Sequence, residues 1–130
     1  MFKLSSRSIR NLSGVHPLLC TLAYMSLSRS PFDFGITSGV RTVEQQKELV
    51  AAGRSQTMKS NHLTGHAFDI VVYVDGKVTW DLKFYEAVSE VIKECAAEID
   101  ESVQWGGDWT SFIDGPHFQL DPNQYKFKAS

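Results

Sequence analysis

The stretch that decides the fold runs from Ser60 to Val74 and reads SNHLTGHAFDIVVYV. Its second part, Ala67 to Val74, is rich in β-branched and aromatic residues, which predicts a buried strand. Aspartate is depleted in strands and is rarely buried without a partner, so Asp69 requires a cation or a dense hydrogen-bond network. His62 precedes the strand at the loop-to-strand junction, where it is placed to share a metal ion with Asp69.

A second cluster of candidate residues occurs in the segment 114–118, DGPHF, where His117 opens another predicted strand three residues after Asp114. His62, Asp69 and His117 together make a three-ligand zinc site, which leaves one coordination position open, as catalytic zinc requires. Asp114 has the right chemistry for the general base beside that position. One histidine at a strand edge is more often structural, but two of them, each near a carboxylate, favour the metal hypothesis.

Outward from these segments, the hydrophobic pattern predicts a mixed α+β fold. Helices are predicted from Pro17 to Ser28–Ser30, from a cap at Thr42 through Ala52, and from a cap at Asp81 through Ile99. Strands are predicted at 34–37, 67–74, 77–80, 103–105 and 116–120. Residues 1–14 are interpreted as a polar lead-in, 54–61 as a loop, and the last ten residues as a tail or an edge strand.

Composition narrows the class of protein. With 130 residues, 42% of them hydrophobic, the chain has room for one domain with a core that needs no disulfide or oligomer. The net charge of −2 gives no basic surface for nucleic acid. No apolar run approaches the ~20 residues that span a bilayer, and no secretory signal is visible. We therefore expect a monomeric single domain over 1–130, without membrane insertion, in which Cys20 and Cys95 are buried reduced thiols.

The pattern Ser60-x-His62-x-x-Gly65-x-Ala67-x-Asp69 resembles the S-x-H-x-x-G-x-A-x-D signature of the peptidase M15 family. That family includes the VanX/VanY-type zinc D,D-peptidases and phage endolysins with L-alanyl-D-glutamate peptidase activity. Two further segments, 114–117 and 38–46, are similar to its [E/D]-x-x-H signature and to the segment with its substrate-binding Arg and Gln. The segments occur in family order, and the lead-in 11–17 is also similar to phage members, so the resemblance covers nearly the whole chain.

The resemblance implies a zinc peptidase in which an antiparallel sheet carries the metal and packs with helices, as in hedgehog and D,D-peptidase domains. It implies His62, Asp69 and His117 as zinc ligands, Asp114 as general base and Arg41 as a substrate-binding or transition-state group. Further substrate contacts are expected from the residues Gln46, Ser60 and Trp105. Ser60 is alternatively a hydrogen-bond partner of a ligand or of the motif's own backbone, and Trp105 is alternatively a core aromatic. His66 falls at a variable position of the motif and is not expected to bind zinc.

The function that the resemblance implies is hydrolysis of the L-alanyl-D-glutamate bond of peptidoglycan by a phage endolysin. Such an enzyme stays in the host cytoplasm until a holin opens the membrane. A D-alanyl-D-alanine carboxypeptidase or dipeptidase uses the same metal chemistry on another stem-peptide bond. A non-catalytic, zinc-stabilised hedgehog-like binding module is the alternative of a different class, against which the presence of both Asp114 and Arg41 argues.

Overall fold

The computed structural model of the chain describes residues 2–55, 58 and 60–121. The helices are α1 (Ser6–Asn11), α2 (Pro17–Arg29), α3 (Val43–Ala51) and α4 (Leu82–Glu98). The strands are β1 (Asp33–Ser38), β2 (Ala67–Val74), β3 (Lys77–Thr79), β4 (Val103–Trp105) and β5 (His117–Leu120). Short 3₁₀ helices cover Asn61–Thr64 and Gly106–Asp108. Apart from Asp121, the last ten residues lie outside the described residues, and so does the prediction made for them.

All strand pairs in the sheet are antiparallel, and β2 is its central strand. One edge of β2 pairs with β1. The other edge pairs with β5 near the start of β2 and with β3 near its end. β4 continues the sheet on the far side of β5. The predicted α+β fold with an antiparallel sheet is therefore confirmed.

The hydrophobic core lies between one face of the sheet and the helices α2 and α4. Side chains alternate between the faces of a strand, and Phe68, Ile70 and Val72 of β2 are all buried in this core. The predicted apolar stripe of α4 also lies there, with Val88, Ile92 and Cys95 fully buried and Phe84, Val91 and Ile99 partly buried. Asp69 belongs to the opposite face of β2, which is thereby free to carry polar chemistry.

The predicted helix starts are confirmed by their capping contacts. The Nδ1 atom of His16 accepts a hydrogen bond from the Leu18 N–H at 3.1 Å, so His16 is the N-cap of α2, the structural role expected for it. Thr42 and Gln45 form a reciprocal capping box at the start of α3. Asp81 caps α4 by accepting from the Lys83 N–H.

The helix α1 was missed by the sequence analysis, which interpreted residues 1–14 as a polar lead-in. It has six residues, too few for a hydrophobic period to be visible. Its position is set by tertiary contacts: the buried Ser8 Oγ accepts a hydrogen bond from the Ile36 N–H of β1 at 2.9 Å. The Asn11 side chain donates to the Ile36 carbonyl at 2.7 Å, so α1 binds both backbone polar groups of Ile36.

The two cysteines are unpaired, and only Cys95 is fully buried, whereas Cys20 is half-buried. Burial raises the pKa of both thiols, which keeps them protonated and weakly nucleophilic. Within the described part of the chain, no helix combines the length and the apolar character needed to cross a membrane.

A buried tyrosine joins α4 to the sheet and provides a test of the fold. The Tyr85 hydroxyl donates to the Thr79 carbonyl at 2.7 Å and accepts from the Val72 N–H at 3.2 Å. We expect Tyr85→Phe to lower the free energy of unfolding by about 1–3 kcal/mol, because both backbone groups lose their partner in a buried place. Urea denaturation measures this, with Tyr24→Phe as control, since Tyr24 is 52% exposed. Equal stability of the two variants would contradict the assignment.

Candidate metal centre and active-site cleft

The three predicted ligand residues meet on the polar face of the sheet. Asp69 and His117 are direct partners in the pairing of β2 with β5, and His62 comes from the 3₁₀ helix that precedes β2. His62 Nε2, Asp69 Oδ1 and His117 Nδ1 form a triangle in which all three distances are 3.2 Å. Both histidines are buried, and the Asp69 side chain is 15% exposed. Residues far apart in the sequence thus form a cluster with the ligand types and spacing to hold a metal ion.

Hydrogen bonds on the outer side of each imidazole fix its tautomer. His62 Nδ1 lies 2.8 Å from the Gly39 carbonyl oxygen, which only accepts, so this nitrogen carries the proton. His117 Nε2 lies 2.8 Å from Gln119 Oε1. The amide of Gln119 is oriented in turn by donation from its Nε2 to Gln104 Oε1 at 2.8 Å, so His117 also carries its proton on the outer nitrogen. Both imidazoles therefore direct a lone pair towards the carboxylate.

This donor set fits a zinc ion. Two imidazole lone pairs and a carboxylate oxygen are three acceptors in contact, and they are stable together only around a positive charge. Zinc bound tetrahedrally at about 2.0–2.1 Å has neighbouring ligand atoms about 3.3 Å apart, which the triangle approaches. Burial lowers the pKa of His117, but the hydrogen bond and charge of Asp69 outweigh burial and raise it, so the cluster attracts positive charge.

The second carboxylate oxygen of Asp69 is held by Arg41. Arg41 Nη2 donates to Asp69 Oδ2 at 2.8 Å, and Arg41 Nη1 donates to Gln46 Oε1 at 3.2 Å. Because Oδ2 is engaged, Oδ1 is the oxygen left for a metal ion. Burial disfavours the charge of Asp69, but the contacts with His117 and His62 outweigh burial and hold the pKa of this carboxyl below its usual range.

Backbone contacts explain the residue types at Ser60 and Gly65 of the motif and at Gly39, which lies outside it. Ser60 caps the 3₁₀ helix, because its Oγ accepts from the His62 N–H at 3.2 Å. Gly65 ends that helix with a φ of +78°, and a Cβ there would lie 2.5 Å from the Gly14 carbonyl oxygen. At Gly39 a Cβ would lie 2.0 Å from the Asn11 carbonyl oxygen, so only glycine lets this backbone approach and present its own carbonyl to His62.

A cleft of about 720 Å³ opens in front of the metal-binding cluster. Asp114 lines it together with the three ligand residues, as predicted for a general base. Burial, and then the negative charge of Asp69, raise the pKa of Asp114 above the ordinary aspartate value, which makes it a stronger proton acceptor. Its backbone N–H donates to the Gly106 carbonyl at 3.0 Å, which fixes the loop that carries it.

Two residues that were expected to contact substrate, Gln46 and Trp105, are buried and lie outside the cleft lining. Gln46 is fully buried and supports Arg41 from behind, with its Nε2 donating to Ser55 Oγ at 3.0 Å. Trp105 is 4% exposed in the core, and its indole N–H donates to the Gly115 carbonyl at 2.6 Å. Trp105 thus stabilises the loop that carries Asp114, which is the core alternative.

The structure also gives the positions of Arg41, Ser60 and His66 relative to the cleft. Arg41 and Ser60 line the cleft, and Ser60 acts on the backbone of the motif. His66 is outside the cleft lining and contacts His16, with 5.6 Å between the ring centroids, and Thr64, whose Oγ1 lies 2.6 Å from its Nδ1. It takes no part in the metal-binding triangle.

Several residues of the site were missed by the sequence analysis. Gln119 had a detectable signal, because it follows His117 by two positions on a strand and so shares its face. Gln104 is its cross-strand partner, which no local pattern reveals. Trp109 lines the cleft with its ring centroid 5.0 Å from that of His117. The sequence analysis named Trp105, but only the fold decides which of the two tryptophans points into the cleft.

Comparisons with known proteins agree with this geometry. The family model of phage L-alanyl-D-glutamate peptidases matches residues 1–120. The L-alanyl-D-glutamate peptidase of Escherichia phage T5 is 36% identical over 114 residues, which are 85% of this chain and 83% of that protein. The peptidoglycan L-alanyl-D-glutamate endopeptidase CwlK of Bacillus subtilis is 28% identical over 127 residues, 85% of this chain and 76% of that protein.

A solved structure has the same fold over nearly its whole length. The L-Ala D-Glu endopeptidase ChiX of Serratia marcescens superposes with a TM-score of 0.88 at 40% sequence identity, covering 95% of this chain and 93% of that one. Together with the metal-binding triangle and the carboxylate in the cleft, these matches identify the family. The chain belongs to the phage L-alanyl-D-glutamate peptidase family.

Proposed function

We propose that this chain is a zinc-dependent endopeptidase that hydrolyses the L-alanyl-D-glutamate bond of peptidoglycan stem peptides. The observation that carries the proposal is the triangle of three acceptor atoms at 3.2 Å, open to a cleft in which a further carboxylate, Asp114, has a raised pKa. The relatives that it resembles over most of their length are named for this activity.

The chain's own residues supply the proton transfers and the orientation. His62, Asp69 and His117 would hold the metal, and a bound zinc ion would supply Lewis-acid chemistry that polarises the scissile carbonyl and acidifies water. Asp114 takes the proton of the attacking water and delivers it to the leaving amine. Arg41 fixes Asp69, and its N–H groups not used by Asp69 and Gln46 are available to the carbonyl oxygen as negative charge develops.

This mechanism needs no covalent intermediate. A cysteine nucleophile requires an exposed thiolate, and Cys20 and Cys95 are protonated thiols outside the cleft lining.

Two alternative functions would use the same cluster of metal ligands. A D-alanyl-D-alanine carboxypeptidase or dipeptidase would use the same metal and base, but the relatives are named for the L-alanyl-D-glutamate bond. A hedgehog-like binding module would need no proton acceptor beside the open side of the metal. The position of Asp114 in the cleft with a raised pKa favours an enzyme.

The biological setting is part of the proposal. We propose a single catalytic domain that acts as a monomeric phage endolysin, stays in the host cytoplasm until a holin opens the membrane, and then acts on the wall. Mass spectrometry of fragments released from purified peptidoglycan tests the bond: new N-terminal D-glutamate is expected. Released D-alanine or D-alanyl-D-alanine would favour the alternative enzyme, and an undigested wall would favour the binding module.

Removal of two ligands tests the metal site. We expect the double variant His62→Ala, His117→Ala to lose bound zinc and activity, because a single carboxylate oxygen remains of the triangle. Elemental analysis of the purified protein measures zinc per chain. His66→Ala is the matched control and should keep one equivalent, since His66 is outside the cluster. Undiminished zinc in the double variant would refute the ligand assignment.

The support behind His117 can be tested through metal affinity. Gln119→Leu removes the acceptor for His117 Nε2–H, so we expect zinc affinity to fall about 10- to 100-fold, as for other residues that orient a ligand. Gln119→Glu keeps an acceptor at the same distance along the side chain and should retain tight binding. Chelator competition measures both. Wild-type affinity in Gln119→Leu would show that the tautomer does not depend on this hydrogen bond.

The general base can be separated from the ligands by an isosteric change. Asp114→Asn should keep zinc and the fold, because the triangle and the backbone bond to Gly106 remain, but should lose about 10²–10⁴-fold in kcat, since an amide cannot accept the proton. Asp114→Glu should retain part of the activity. Steady-state kinetics with elemental analysis decides the matter. Loss of zinc would make Asp114 a ligand, and full activity would place the base elsewhere.

A further inference from the structure

The substrate in the proposed function carries a negative charge beside the bond that is cut. A glutamate within a peptide uses one carboxyl group to continue the chain, and its other carboxyl group remains free and ionised at neutral pH. An enzyme that selects such a residue gains most from a cation placed in its cleft to pair with that carboxylate. The cations that line the cleft are therefore candidates for specificity.

Among the described residues that line the catalytic cleft, two are arginines, Arg41 and Arg54, and none is a lysine. The guanidinium of Arg41 is already paired with a carboxylate, because its two terminal nitrogens donate to Asp69 and Gln46. Arg54 is exposed, and no carboxylate or other acceptor of the described residues bonds to its side chain. It is the arginine of the cleft whose bidentate face is available to a ligand.

The backbone of Arg54 is held by a hydrogen bond, whereas its side chain has no hydrogen-bond partner among the described residues. The N–H of Arg54 donates to the Leu49 carbonyl at 2.9 Å, directly after α3, where Gly53 has a φ of +74° and reverses the chain. The Cα of Arg54 is thus held against the end of a helix. Because the Cα is fixed, the guanidinium can reach only a limited volume, which lowers the entropic cost of pairing with a carboxylate.

The cleft continues past Arg54. A second cavity of about 610 Å³ shares Thr37, Arg41, Leu49 and Arg54 with the catalytic cleft, so the two form one groove that passes over these residues. Arg54 therefore lines both the cleft that contains the metal-binding cluster and its continuation.

We propose that Arg54 is a specificity-determining residue that binds the free carboxylate of the D-glutamate next to the scissile bond through a two-pronged guanidinium–carboxylate contact. The proposal rests on the proposed function. It predicts that the enzyme distinguishes an acidic residue at this position from its uncharged amide, and that the distinction resides in one side chain.

The test uses two synthetic stem peptides that differ in one group: one has D-glutamate with its carboxylate free, the other has the same residue as the carboxamide. For the wild-type zinc enzyme, kcat/KM should be higher with the acid. Arg54→Ala should lower kcat/KM for the acid about 10- to 100-fold, the range for a hydrogen bond to a charged group, chiefly through KM. It should lower kcat/KM for the amide peptide far less, because the carboxamide accepts only a weaker hydrogen bond with no charge pairing.

Controls make the outcome specific to the charge. Arg54→Gln, which keeps a long neutral side chain, should behave like Arg54→Ala, and Arg54→Lys should recover part of the preference. Arg7→Ala removes an exposed arginine that lines neither cavity and should match the wild type. Zinc content should be unchanged in all four variants.

The experiment distinguishes a wrong assignment of Arg54 from a wrong assignment of the endopeptidase function. If the wild type cleaves the acid peptide and the neutral Arg54 variants keep the same preference, or lose activity on both peptides equally, the assignment of Arg54 is overturned and the endopeptidase function stands. If the wild-type zinc enzyme cleaves neither peptide at the L-alanyl-D-glutamate bond, the proposed function fails, and the role of Arg54 fails with it.

Discussion

Three acceptor atoms in mutual contact are the constraint on which the site depends. Two imidazole nitrogens and a carboxylate oxygen lie 3.2 Å apart in a largely buried place, each with a lone pair directed inwards. Such a group repels itself unless a cation occupies its centre, because burial removes the water that would otherwise screen it. Much of the surrounding structure serves to hold these atoms in place against that repulsion.

Each ligand is held by a partner of a different kind. A backbone carbonyl made accessible by Gly39 orients His62, an arginine holds Asp69, and a pair of glutamines orients His117. These contacts place protons on the outer nitrogens and leave the inner ones free, so that the ligands need not reorganise when a metal binds. Preorganisation of this kind is expected of a catalytic metal site and not of a chance cluster of polar groups.

The sheet divides the molecule into a structural face and a chemical face. Phe68, Ile70 and Val72 of β2 belong to the core, whereas Asp69, on the opposite face of the strand, lines the cleft. Stability and chemistry are thereby carried by different residues of the same strand. The loop that carries Asp114 connects the core to the cleft, because the buried Trp105 donates a hydrogen bond to the carbonyl of Gly115, the residue after Asp114.

Local signals in the sequence determined most of the elements and predicted the metal ligands. Strand composition, capping residues and the unusual Asp69 within an apolar run are properties of neighbours along the chain, and the ten-residue motif with its resemblance to a peptidase family assigned His62, Asp69 and His117. The short helix α1 lacked such a signal, because its position depends on the backbone of β1 rather than on its own periodicity.

Only the tertiary structure decided how the remaining side chains are used. Gln46 and Trp105 were expected to contact substrate, but burial gives them supporting roles, whereas Trp109 and Arg54 line the cleft. Which of two tryptophans points outwards, and which of two arginines is already paired, depends on contacts between segments many residues apart. The sequence lists the groups that can do chemistry, but their availability is set by what the fold places beside them.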